Sequence, residues 1–342
     1  MAAELVFITG AAGFLGAHLV NETLKAGYRV RGSVRKEAQA KQLETYFSPY
    51  GSMAEFVIVP DITKEEAYDG LLGDVDYIFH SASPLPSGSN DWKKDYVQPA
   101  VLGTTTILDA ALKVPRIKRV IITSSIVALR PLEGLPPNVP EREINATTIT
   151  LSPDYPFANP SQAYAGSKIL ADQATTKFMK TKTPKFSLVT IHPSFIYGRN
   201  LLQSSFSELS GTNGYLWRAL QDHKPTHSNL SIHVLDVASA HLLALKLMPE
   251  SDPDMHLNSW SGGIAKFLVS AQPYDWNELG EFVREKYPQV GSNIEGWEVK
   301  KAALDTGRAE EILGLKRLRT IEEMVSDVIE QQMEFDDFLE SL

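Results

Sequence analysis

The sequence has 342 residues and no cysteine. Disulfides, thiolate zinc centres and a cysteine nucleophile are thereby excluded, as is hydride transfer assisted by a cysteine-bound zinc. No stretch approaches the ~20 apolar residues that a membrane-spanning helix needs. The strand-like run Leu5-Val-Phe-Ile-Thr9 is entered without a charged n-region or a long apolar core before it, which is not the layout of a secretory signal. An excess of positive charge is also missing. Acidic residues number 42 against 33 Lys and Arg, and the net charge of −9 argues against a nucleic-acid or anionic-membrane partner. Internal repeats are absent. With 43% hydrophobic and 22% charged residues, the chain has the composition of a globular enzyme, and the cytoplasm is its expected location.

Short apolar runs alternate with helical periodicity. Leu5–Thr9, Tyr28–Val34, Glu55–Pro60, Tyr77–His80, Val120–Thr123 and Phe186–Ile191 read as strands. Between the first two, Leu15, Leu19, Val20 and Leu24 recur at helical spacing and stop at Gly27. Helical residues then run up to Phe47, and a long helix is expected from about Trp92 to Leu112. This alternation predicts an α/β fold, a Rossmann-type doubly wound parallel sheet with helices on both faces. Prolines 131, 136, 137, 140, 153, 156 and 160 crowd a long loop from Arg130 to Pro160, and long loops tend to be functional. Asn200 to Asn229 is irregular, and a helix is expected from Val234 to about Leu247. The remainder predicts a smaller C-terminal α/β substrate-binding domain. There Asp275 and Glu278 read as a capping box opening a helix to about Lys286. A last helix from about Ile321 puts Val325, Val328 and Phe335 on one stripe, with Glu322, Glu323, Asp327, Glu330 and Glu334 as a solvated face.

Gly10-Ala-Ala-Gly13-Phe-Leu-Gly16 follows the first strand and opens the first helix. A pyrophosphate seated on a helix N-terminus needs close backbone approach, which a side chain would block, so Gly10, Ala12, Gly13, Phe14 and Leu15 are candidate dinucleotide contacts. A tight strand-to-helix turn with incidental glycines is the alternative. An NAD enzyme carries Asp or Glu at the end of the second strand to hold the ribose 2′-hydroxyl. Gly32-Ser-Val-Arg35-Lys36 stands there instead. Arg35 is suited to grip a 2′-phosphate bidentately and Lys36 adds charge, so the expected cofactor is NADPH/NADP+. Asp61, followed by Ile62, is placed to meet the adenine edge, to act as an N-cap for the following helix, or both. Residues 1–192, with 230–256 returning to them, are expected to bind NADP. Residues 193–229 and 257–342 are expected to bind substrate.

Tyr164 and Lys168, four apart in Ser161-Gln-Ala-Tyr-Ala-Gly-Ser-Lys168, fall on one face of a helix. An ammonium one turn away favours the phenolate form of a tyrosine, and such a phenol can protonate a carbonyl oxygen as hydride arrives. Thr123-Ser124-Ser125 lies upstream. These features share one frame with His80-Ser-Ala-Ser-Pro84, His192-Pro-Ser-Phe-Ile-Tyr-Gly198, His233-Val-Leu-Asp-Val-Ala238 and Arg308-Ala-Glu-Glu-Ile-Leu-Gly314. Together they resemble the extended short-chain dehydrogenase/reductases over nearly the whole chain. Within these the chain is most similar to the dihydroflavonol reductase and cinnamoyl-CoA reductase branch, and to fungal NADPH-dependent methylglyoxal and carbonyl reductases.

The resemblance implies catalysis by Ser125, Tyr164 and Lys168. Tyr164 is the general acid, Lys168 tunes it and holds the nicotinamide ribose, and Ser125 hydrogen-bonds the substrate oxygen. Ser124 is disfavoured because consecutive residues near a strand end face opposite ways. Ala82 and Ser83 would line the nicotinamide half of the cofactor channel with Thr123, and Pro193, Phe195 and Ile196 would meet the carboxamide. The implied activity is reduction of small-molecule aldehydes or ketones, in a monomer or homodimer. One departure is that Gln98-Pro-Ala-Val-Leu102 lacks the asparagine with which many relatives order a proton-relay water. Sugar-nucleotide epimerases or dehydratases share the scaffold, and NADP-sensing regulators are a rival of another class. Pro225 separates His223 from His227, so these and His233 read as loop histidines and no metal is expected. His80 and His192 read as structural. Trp217, Phe157, Tyr197 and Leu85 fit a substrate pocket or the core equally well.

Overall fold

The computed structural model describes residues 3–83, 91–133, 149–222, 225, 227–248, 263–297 and 304–335. Pro84, Leu85, Pro136, Pro137, Pro140 and His223 lie outside them. In chain order the elements are β1 (Leu5–Thr9), α1 (Phe14–Lys25), β2 (Arg29–Val34), α2 (Glu37–Tyr46), β3 (Ala54–Ile58), β4 (Tyr77–His80), α3 (Gln98–Leu112), β5 (Arg119–Thr123) and α4 (Pro160–Lys182). Then come β6 (Ser187–Pro193), β7 (Phe195–Tyr197), α5 (Gly211–Gln221), β8 (Ser231–His233), α6 (Val234–Lys246), β9 (Ile264–Val269), α7 (Trp276–Lys286), α8 (Gly307–Glu311) and α9 (Ile321–Met333).

Seven strands form one sheet in the order β3-β2-β1-β4-β5-β6-β9, and every pairing is parallel. Strand residues alternate between faces, and β1 shows the consequence. Val6 and Ile8 join a core with Leu19 and Val20 of α1 and Val237 of α6. Leu5 and Phe7 join a second core with Ile107 and Leu108 of α3 and Phe178 of α4. Both faces are covered, so β1 is fully buried and apolar from Leu5 to Ile8. The strand order reverses between β1 and β4, which is where open α/β sheets bind their ligands. A third core, with Tyr197, Leu216, Trp276, Leu279, Val325 and Val328, lies under α5, α7 and α9.

Several expectations are corrected. The segment 264–269, assigned to the smaller domain, is the seventh strand of the main sheet, paired with β6 from Leu188↔Ile264 to Pro193↔Val269. The helix expected from about Trp92 to Leu112 is present without a break, its first turns a π-helix over Lys93–Val97 that runs directly into α3 at Gln98, with Pro99 at the junction. Asp275 caps α7 through the Asn277 amide (2.8 Å), whereas the reciprocal box is formed by Thr320 and Glu323 at α9. Phe335 falls beyond the end of α9, and the inner stripe is completed by Met324 and Ile329. Asp327 is not simply solvated. Its Oδ2 lies 2.9 Å from His233 Nε2 and ties α9 to β8.

Candidate active site

The site begins with the turn after β1. Gly10 has φ +70°, a conformation that favours glycine, and its carbonyl accepts the Gly13 amide at 2.9 Å. A Cβ on Gly10 would stand 2.9 Å from the Ala82 Cα. The loop after β4 is fastened there, because Thr9 Oγ1 accepts the Ala82 amide and Thr9 O accepts the Ser81 hydroxyl. A Cβ on Gly16 would overlap the Gly10 carbonyl oxygen at 1.9 Å. A Cβ on Gly13 meets only that oxygen within 4 Å, so the outer face of the turn is open. Gly13 is the N-cap of α1, with no side-chain cap and no acidic residue in the first turn. Phe14 and Leu15 begin the helix. These unclaimed N–H groups and the open backbone fit a pyrophosphate.

At the end of β2, Gln39 Oε1 accepts both the Arg35 and Lys36 amides, fixing the backbone of the basic pair. Both side chains are exposed. Asp61 Oδ1 accepts the Thr63 amide (2.9 Å) and hydroxyl (2.6 Å), bonds that hold its carboxyl below the ordinary value, with smaller help from Lys64 and Arg35. The alternative reading of Asp61 as a cap is thus realised in a turn rather than a helix. Ile62 packs towards Gly103 of α3.

Asn159 caps α4 by accepting the Gln162 amide at 2.9 Å, and Pro160 occupies the first helical position. Tyr164 is exposed, Lys168 is half-buried, and the Lys168 Nζ sits 5.7 Å from the Tyr164 ring centroid. Gly166 is needed on this helix because Phe157 lies where its Cβ would be, 2.1 Å from Cε1. Beyond β5, Ser125 caps a short 3₁₀ turn over Ile126–Leu129 and is 9% exposed. Its carbonyl faces His192 Nδ1 at 3.1 Å. Ser124 and Thr123 line a crevice with Lys168, His80, Ala82, Ser83 and Ile62. The structure therefore gathers the residues of β4, β5, α3 and α4 around one opening at the carboxyl ends of the central strands.

Pro193 ends β6, and the chain then enters β7. Phe195 packs 4.9 Å from the His227 ring, whereas Ile196 turns to the main core. Tyr197 is fully buried with its hydroxyl 2.7 Å from His227 Nε2, so it belongs to the core. Phe157 packs against α4 beside Tyr155, and Trp217 against Phe206. His227 is a packed residue between Phe195 and Trp276, and burial lowers its pKa to about 4. His233 caps α6 by accepting the Leu235 amide.

Burial also lowers His80 to about 3, with help from Lys168, and His192 to about 4. These rings are neutral anchors, His80 to Thr9 Oγ1 at 2.9 Å and His192 to Thr190 Oγ1 at 2.8 Å. Two neighbours of the site escape the sequence reading. His241, lowered to about 4 by burial, contacts Thr123 Oγ1 at 2.8 Å. Asp172 stands one turn past Lys168 among the buried residues of α4. Among the described residues no cluster of His, Asp and Glu is arranged for a metal, and no helix is long and apolar enough to cross a membrane.

Residues 6–258 match the family model described as NAD dependent epimerase/dehydratase family. A ketoreductase of Aspergillus fumigatus is 40% identical, with 98% of this chain and 99% of that protein covered. A ketoreductase of Cercospora beticola is 32% identical over 98% and 96% of the two chains. The crystal structure of Gre2 from Candida albicans in complex with NADPH superposes with a TM-score of 0.78 at 25% identity, covering 97% of this chain and 99% of that one.

Proposed function

Since the chain belongs to the NAD dependent epimerase/dehydratase family, we propose that it is an NADPH-dependent reductase of aldehyde and ketone carbonyls, with Tyr164 as proton donor. The observation that supports this reading is that Tyr164 and Lys168 stand one turn apart on one face of α4, with Lys168 lining one crevice together with Thr123, Ser124, Ala82 and Ser83. The similarity to two ketoreductases supports the reaction class, and the NADPH-bound relative supports the cofactor.

The turn from Gly10 to Leu15 would hold the pyrophosphate, Arg35 and Lys36 the 2′-phosphate, and Asp61 with Ile62 the adenine side. Ala82, Ser83, Thr123, Pro193, Phe195 and Ile196 would flank the nicotinamide half, and Lys168 its ribose. When bound, NADPH supplies the hydride that reaches the carbonyl carbon. Tyr164 gives its O–H proton to the carbonyl oxygen as negative charge develops there, and Ser125 donates a hydrogen bond to the same oxygen. Lys168 would approach the phenol from one turn away on the same face of α4. A positioned general acid contributes about 10²- to 10⁴-fold, and the alignment of the reacting groups contributes more. The chemistry uses no metal. Small to medium aldehydes and ketones, aromatic or α-dicarbonyl among them, are the proposed substrates, and the cytoplasm is the proposed location.

The exposed basic pair at the end of β2 counts against a sugar-nucleotide epimerase or dehydratase, which would retain NAD. The Tyr164–Lys168 pair counts against a regulator that binds NADP without turnover. The test is NADPH consumption by the purified protein across aldehydes, diketones and aryl ketones, with Tyr164→Phe alongside. Turnover faster with NADPH than with NADH, falling at least about 10²-fold in the variant, is expected. Tight NADPH binding without turnover on any carbonyl would transfer the assignment to the regulator.

A further inference from the structure

Thr123 of β5 pairs with Ile191 of β6, so Ser124 and Ser125 leave the sheet beside His192 and Pro193. Phe195 opens β7 two residues later, at the same carboxyl end of the sheet. From Phe195 a row of rings leads outwards. The His227 ring is centred 4.9 Å from Phe195, the Tyr215 ring of α5 is centred 6.3 Å from His227, and the Arg218 Cζ lies 4.8 Å from the centre of Tyr215. Phe195 and His227 are half-buried, Tyr215 is 48% exposed and Arg218 is exposed. Tyr215 and Arg218 are three residues apart on α5 and share a face.

A single exposed tyrosine is ordinary, but this one carries a guanidinium without a counter-ion. Arg31, Arg116, Arg199 and Arg319 each pair with a carboxylate. Among the described residues Arg218 pairs with none, in a chain with 42 acidic residues against 33 Lys and Arg. Asp222, one turn on, ends α5 in an extended conformation and makes no ion pair with it. The charge of Arg218 is felt along the row, where it adds to the larger effect of burial in lowering the pKa of His227. His227 is therefore neutral, and its Nδ1 is buried with no partner. The row thus ends in one fixed positive charge, on a guanidinium held flat by its ring and suited to meet a carboxylate with two parallel hydrogen bonds.

We infer that this row is a substrate-binding wall for aromatic ketones that carry a carboxylate at the end far from the reacting carbonyl, with Tyr215 packing against the ring system and Arg218 holding the carboxylate. The inference rests on the reductase reading above and names the substrate class within it. A carbonyl held at Tyr164 and Ser125 would direct the rest of its molecule past Phe195. A small aliphatic carbonyl would leave the outer row uncovered, and an α-keto acid would place its charge at Tyr164, several ring widths from Arg218. A surface stack that only stiffens α5 is the competing role that the test must separate.

The test compares para-acetylphenylbutyrate with its neutral amide on the full chain with NADPH, for the wild type, Arg218→Gln, Arg218→Lys and Tyr215→Ala. In the wild type the KM for the carboxylate should lie about tenfold below that for the amide, and the gap should narrow as salt is added. Arg218→Gln should close the gap, Arg218→Lys should keep part of it, and Tyr215→Ala should raise both KM values. The changes should fall on KM and not on kcat, because the row makes the same contacts before and during hydride transfer. Phenylglyoxylate, with its carboxylate beside the ketone, should be insensitive to Arg218. Should Tyr215→Ala not fold, the two Arg218 variants decide. Equal KM values for acid and amide in the wild type, a gap that survives Arg218→Gln, or an equal effect on phenylglyoxylate overturns the inference and leaves the reductase reading intact. So does a wild type that reduces other carbonyls but neither of the two ketones. A wild type that reduces no carbonyl overturns both.

Discussion

Alanine at Gly16 and alanine at Gly13 should fail in different ways, because the turn after β1 answers to two separate demands. A Cβ on Gly16 stands 1.9 Å from the Gly10 oxygen and 2.8 Å from its carbonyl carbon, well inside the ~3.5 Å at which non-bonded contact is favourable. Both obstacles are backbone, so α1 or the turn itself must move. Overpacking of this kind costs about 1–3 kcal/mol. Displacing the Gly10 carbonyl also weakens its 2.9 Å bond from the Gly13 amide, about 1 kcal/mol more. Alanine inside α1 returns about 1 kcal/mol of helix propensity. The net loss is about 1–3 kcal/mol, or a fall in Tm of roughly 1–4 °C for a chain of this length. Gly13 is the opposite case. Its φ of −81° and ψ of 165° suit any residue, and the nearest obstacle to a methyl is one oxygen at 3.2 Å. Stability should change by no more than about 0.5 kcal/mol. The methyl would nonetheless occupy the open face where a pyrophosphate approaches, and NADPH affinity should fall about 10- to 100-fold as one or two charge-assisted bonds lengthen. Thermal melts paired with NADPH titration by fluorescence read both quantities. A Gly13→Ala variant that melts as early as Gly16→Ala, or that binds NADPH normally, would refute the reasoning.

Arg35→Ala should raise the KM for NADPH about tenfold or more, the worth of a charge-assisted contact to phosphate, and leave the KM for NADH unchanged. Equal losses with both cofactors would place Arg35 away from the 2′-phosphate. Asp76 should contribute an acid-sensitive part of the stability. Burial pushes its carboxyl up, but the Leu5 amide at 3.0 Å and the Arg116 guanidinium at 3.1 and 3.2 Å outweigh it and hold it below the ordinary 3.8. A depressed folded value means that this stabilisation is fully present above pH ~4 and drains away as pH falls through the folded value. Urea unfolding of the wild type and Asp76→Asn between pH 3 and 7 should show a flatter acid limb in the variant, and parallel curves would contradict the assignment.

The parts of the site that were legible in the sequence are those whose signal is local. The glycine turn shows itself by spacing because its geometry is set within seven residues, from Gly10 to Gly16. Tyr164 and Lys168 show themselves because helical periodicity brings residues four apart together. The buried strands show themselves as unbroken apolar runs because both faces of the sheet are covered. How a helix begins was less legible. The helix runs from Trp92 as its apolar periodicity suggests, but nothing in the pattern marked its first turns, over Lys93–Val97, as π. Long-range partners left no local mark. Thr123 and His241 are 118 residues apart, His233 and Asp327 are 94 apart, and so are Asp172 and Lys266.

By itself the amino-acid sequence determined the α/β class, the succession of strands and helices through β6, the backbone of the glycine turn and the helical pairing of tyrosine with lysine. Each follows from steric and periodic rules acting over a few residues. Tertiary structure alone decided that 264–269 closes the sheet as its seventh strand, that Asp327 is bound rather than solvated, and that Asp172 pairs with Lys266. Those outcomes depend on which elements pack together, and packing joins residues whose separation along the chain says nothing about their distance in space.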